Sequence, residues 1–310
     1  MSAAYKYIYL KFLYLGVVTL LLSSCMAIPV AELQNYRNSF KQVFNSGSLL
    51  LDELSPIFSK RAPASGLANC GQNTGGIPRC FRPELARANA IREEHPAISV
   101  RRLVLTTIDT YNMILVDVAE GKPVDASLQK VEQLRGLVQT ALSLGSFGGA
   151  LPPLVDVIAK QGFEVFLNEL KKPISLAMLR RLIKAGKEPV RDMLIKLNDD
   201  TPVMYRIYQK GTQLEIIKTR VLIRRLRVTS GNTAKPTAEL EVLINKVNGY
   251  HAKLGAYVKV LDATIAALDA LVDAVENPKY SIANTTAALK QVGVLQTRAE
   301  EFWRVVRRVN

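Results

Sequence analysis

Between residues 237 and 276 apolar side chains recur at three- and four-residue steps for 40 residues. Leu240, Leu243, Val247, Tyr250 and Leu254 keep one phase, and the step from 254 to 258 shifts it by one stutter before Val258, Leu261, Ile265, Leu268, Val272 and Val275. Such a period dictates an α-helix, and at 1.5 Å per residue it makes a rod of roughly 60 Å. A strip that narrow is stable only against another helix. The obvious partner is 202–228, which Pro202 can open and which folds back through the polar turn 229–235. The expected fold class is therefore all-α: an elongated antiparallel helical bundle with coiled-coil-like long helices and a hairpin over about 202–276.

The rest of the chain reads the same way. With 310 residues and 48% hydrophobic content it can bury a substantial core. Val30, Leu33, Phe40, Phe44, Leu51 and Leu54 predict a helix within 25–60. The segment 61–97 is irregular, with Pro63, Pro83 and Pro96, and a brief helix is expected near 83–94. The bundle spans 98–310. Within it Leu103, Ile108, Tyr111, Leu115 and Val118 mark a helix over 99–120 that Gly121-Lys122-Pro123 stops, and another is expected over about 124–144. Helices resume from Leu154, with interruptions at Pro173 and around Gly186–Pro189. A last helix carries Ala288, Val292, Leu295, Ala299, Phe302, Val306 and Val309.

The amino-terminal 24 residues carry Lys6 and Lys11, no acidic residue, and the apolar run 12–22. Eleven residues suit a signal-peptide core and fall short of a membrane span. The run ends Leu22-Ser23-Ser24-Cys25, which resembles the lipobox of bacterial lipoproteins. The resemblance covers residues 1–25 alone. It implies that residues 1–24 are a signal peptide, that Cys25 receives a diacylglyceryl group, and that the new amino terminus is acylated, with palmitate-type chains holding the protein in a membrane. Met26 in place of Asp would, by the enteric sorting pattern, favour the outer membrane, with the body facing the periplasm. Inner-membrane retention, surface exposure, ordinary cleavage after Ala27 and an uncleaved anchor stay open.

Cys70 and Cys80 are the two other cysteines, bracketing a turn-rich loop. In an oxidising envelope compartment a disulfide between them is the expectation, with free thiols or a metal site as alternatives. Only His95 lies near enough in sequence to assist a metal, and no metal and no cofactor is expected.

Charge is unevenly placed. The formal +14 of the whole chain becomes +12 without Lys6 and Lys11, and residues 171–230 hold 15 Lys and Arg against 5 Asp and Glu. On a helical projection at about 100° per residue, Arg206, Lys210, Arg220, Arg224 and Arg227 share one arc. Val203, Ile207, Leu214, Ile217 and Val221 form an apolar stripe, and Met204, Tyr208, Leu222 and Leu226 form a second. Two stripes predict burial by two neighbours, with the basic arc outward. That arc either pairs with acids such as Asp262, Asp269 and Asp273, or meets anionic lipid headgroups, an acidic envelope protein or a cell-wall polymer. Nucleic acid is disfavoured, because no aromatic residues interleave the arginines.

Nothing names a reaction. His95 and His251 are the chain's two histidines; the first reads as a helix-end residue and the second as part of the long helix. Gly145-Ser146-Phe147-Gly148-Gly149 lacks the Lys-Ser/Thr of a phosphate loop. The uncharged segment 137–155 contains an apolar tip at Phe147, Leu151 and Leu154, expected as a buried corner or as a segment that enters a membrane. The leading expectation is a lipid-anchored, non-enzymatic interaction or structural module of the cell envelope. A membrane-active, pore-forming-like protein inserting 137–155 comes second, and an unrecognised envelope hydrolase third.

Overall fold

The computed structural model describes residues 30–61, 94–122, 129–137, 140, 162–169, 176–229, 231–276 and 282–308. Cys25, Cys70, Cys80, Phe147, Leu151 and Leu154 lie outside them, as does the segment expected to be helical near 83–94 save its last residue. The fold is an all-α helical bundle, with no strand among the described residues. Its helices are α1 (Val30–Arg61), α2 (Pro96–Ala119), α3 (Gly162–Glu169), α4 (Leu176–Asp199), α5 (Thr201–Val228), α6 (Ala234–Glu276) and α7 (Ile282–Arg308), with a helical stretch over 129–137.

α6 is the axis. It packs against α1, α4, α5 and α7, and its 43 residues correspond to about 65 Å of helix. α7 returns antiparallel beside it, with the Tyr257 and Phe302 rings stacked at 5.3 Å. All the periodic apolar residues read for α7 from Ala288 to Val306 are buried. α6 departs from the narrow strip expected of it. From Tyr250 onward it buries Lys253, Tyr257, Val260, Ala263, Thr264, Ala267, Leu271 and Ala274 as well. Small residues let neighbours approach from several sides, so the carboxy-terminal half is a core helix and not one half of a two-helix seam.

α4 runs unbroken through Gly186 and Pro189, where an interruption was expected. Gly186 is a close-approach position: a Cβ there would lie 2.1 Å from the ring of Tyr111 on α2. Pro189 removes one helical hydrogen bond, and the burial of Val190, Met193, Leu194 and Leu197 around it offsets the loss. Gly211 plays the same role in α5, where a Cβ would meet Ile57 of α1 at 2.2 Å. At the start of α2, His95 caps the helix: its Nδ1 accepts the Ala97 N–H at 3.2 Å. Gly121 ends the same helix region with φ +68, a left-handed turn that glycine adopts without strain.

Candidate functional site

The α5–α6 hairpin leaves the core part-way along its length. The two helices are antiparallel, fixed by Tyr208 stacked on Tyr250 at 3.9 Å and Tyr205 edge-on to His251 at 5.1 Å. At this base Lys253, 1% exposed, donates to Glu53 of α1. Burial and the nearby Glu53 carboxylate push the Tyr250 hydroxyl well above the ordinary tyrosine range. Beyond the base, Ile223 is the sole buried residue from Gln213 to Val228, and none from Thr237 to Lys246 is buried. This stretch is the arm.

Local chemistry explains its turn. Thr229 returns its N–H to the Arg225 carbonyl at 3.1 Å, and Gly231 bonds the Leu226 carbonyl at 2.7 Å. Asn232 then caps α6 by accepting the Ala234 N–H at 2.9 Å.

Around α5 the inward face runs through Met204, Tyr208, Thr212, Ile216, Thr219, Ile223 and Leu226. The second apolar stripe is thus largely buried, except that Leu222 is exposed. The first stripe is not covered as expected: Val203, Leu214, Ile217 and Val221 are exposed, and Ile207 alone packs partly on the core. The reason is geometric. The face through Met204, Tyr208, Thr212 and Ile223 is the one turned inward, and the first stripe lies on the opposite side of the helix. Leu214 is 58% exposed and Val228 82%.

Arg206, Lys210, Arg220, Arg224 and Arg227 are all exposed and make no ion pair among the described residues. Two of the acids considered as partners are engaged elsewhere: Asp269 meets Lys187 and Arg191 of α4, and Asp262 accepts from Asn198 at 2.6 Å. Sequence reasoning missed Lys218 and Arg225, which lie on the other flank of the exposed stripe at about 40–60° on the same projection. It also missed a groove of about 460 Å³ between α6 and α7, edged by Lys259, Arg298, Arg304 and Arg308 over a floor of Ala252, Gly255 and Ala256. The i, i+4 spacing of Arg304 and Arg308 on α7 was the available signal.

Among the described residues no group of three or more His, Cys, Asp or Glu side chains could hold a metal ion, and no helix is long and apolar enough to cross a membrane. No family model, curated protein or solved structure matches the chain.

Proposed function

We propose that this is a lipid-anchored cell-envelope protein, held through Cys25 in the outer membrane and facing the periplasm, that acts without enzymatic chemistry as an interaction or structural module. The observation that carries the reading is the exposed cationic row Arg206, Lys210, Arg220, Arg224 and Arg227, which makes no ion pair among the described residues, on a helix that turns one face to solvent. Cations that no described carboxylate pairs keep their field for an anionic surface outside the molecule. The lipobox-like Leu22-Ser23-Ser24-Cys25 supplies the address, and α1, beginning at Val30, leaves only a short tether. In this reading the elongated, coiled-coil-like character belongs to α5 and α6.

Two measurements test it. Mass spectrometry of the amino-terminal peptide from the native envelope is expected to find a diacylglyceryl-modified Cys25; an unmodified cysteine or a chain starting at Ile28 overturns the anchor. Retention on envelope material, after detergent release, is expected to fall when Arg220, Arg224 and Arg227 are changed to Glu. Unchanged retention overturns the contact role of α5.

A further inference from the structure

We propose that the outward face of α5 is a membrane-surface docking face that seats on a bilayer containing anionic phospholipid. The inference rests on reading α5 as a contact face, and it does not require lipidation of Cys25.

The argument is the order of side chains around the helix. Leu214, Ile217, Val221 and Val228 make one exposed apolar line along the arm. Arg220, Arg224 and Arg227 flank it on one side, and Lys218 and Arg225 on the other. Glu215, the helix's single acid, projects towards the α6 side and not into this face. An apolar ridge between two rows of cations matches the layering of a membrane interface. The ridge enters the headgroup–acyl boundary to about 5–10 Å, and the long basic side chains reach back to phosphate.

Other occupants fit less well. A second copy packed on this line would set cations against cations, at a repulsive cost. A polyanion in water would engage the cations and leave the apolar line wet, whereas a bilayer satisfies both chemistries at once.

The test uses the full-length chain. Trp303→Phe removes its single tryptophan, and Leu214→Trp places a reporter on the ridge. On vesicles of phosphatidylcholine plus phosphatidylglycerol, emission is expected to shift to the blue and to be quenched by brominated acyl chains. On phosphatidylcholine alone neither is expected, even where residues 12–22 adsorb. Arg220→Glu, Arg224→Glu and Arg227→Glu together are expected to weaken arm partitioning by at least about a hundredfold, near fivefold for each cation lost, with the helical circular dichroism unchanged. A ridge reporter that stays unquenched on anionic vesicles overturns the proposal. So does a blue shift that grows with protein concentration in the absence of lipid, which would identify a second copy. If the arm stays unquenched while the three arginines still govern retention on envelope material, docking to lipid falls and the contact-face reading stands. Failure of both overturns both.

Discussion

Arg101 of α2 grips Asp200 with two hydrogen bonds, Nε to Oδ2 at 2.5 Å and Nη2 to Oδ1 at 2.9 Å, in a site where both side chains are buried. Its remaining Nη1 donates to the Ala97 carbonyl at 2.5 Å. Asp200 sits between α4 and α5, so one guanidinium fixes the junction of the two helices inside the body. The fork geometry uses both carboxylate oxygens, which a lysine cannot reproduce.

Arg101→Met strands a buried carboxylate, and a loss of about 3–5 kcal/mol is expected in urea unfolding. Arg101→Met with Asp200→Leu removes both charges and is expected to recover most of it. A double variant no more stable than the single one would refute the pair's independence from its surroundings.

Gly186 and Gly255 are both helical, and alanine at each should act in opposite directions. At Gly186 the new methyl collides with the Tyr111 ring at 2.1 Å, and a loss of about 1–3 kcal/mol is expected from overpacking. At Gly255 nothing lies within 4 Å of the built Cβ, so alanine should gain roughly 0.5–1 kcal/mol from helix propensity alone. Thermal melts of the two variants side by side decide this.

His95 should make stability fall on acidification. Burial, and then the Arg101 charge, lower its pKa below 6.5, and the neutral ring is the form that accepts the Ala97 N–H. The unfolded chain therefore binds the proton first. The contribution is complete above the unfolded value of about 6.5 and is lost as pH falls through the lower folded value. His95→Asn keeps a capping acceptor without a titrating group and is expected to flatten the pH–stability curve across that window; an unaltered slope would assign it to another group.

The exposed ridge of α5 should be silent in stability. Leu214→Gln and Val221→Gln are expected to change unfolding free energy by no more than about 0.5 kcal/mol, while Ile223→Asn, on the buried face, should lose well over about 1 kcal/mol. Parallel chemical denaturation separates a ridge kept for contact from one kept for folding.

How far the sequence reaches depends on which face is asked about. Period alone located α1, α5, α6 and α7, because a helix's own spacing marks its buried stripe. It could not say how many neighbours a stripe has. The stripe through Val203 and Leu214 looks buried on a wheel, and it is exposed because it lies opposite the inward face of Met204, Tyr208, Thr212 and Ile223. The reverse error occurs in α6, where alanines that carry little periodic signal admit extra neighbours. Gly186–Pro189 read as a break because both residues disfavour helix locally, and tertiary packing against Tyr111 overrides that preference. The cationic row was legible as a row; that it lacks ion-pair partners among the described residues required knowing that Asp262 and Asp269 face α4.

The continuity of α6 has a mechanical meaning. The helix that forms one side of the exposed arm is the same unbroken rod that later threads the core between α1, α4 and α7. There is no hinge at Tyr250, so the arm is a lever clamped at its root. A torque applied to the arm would reach Lys253 and Tyr257 through one unbroken helix, and the body would turn with it.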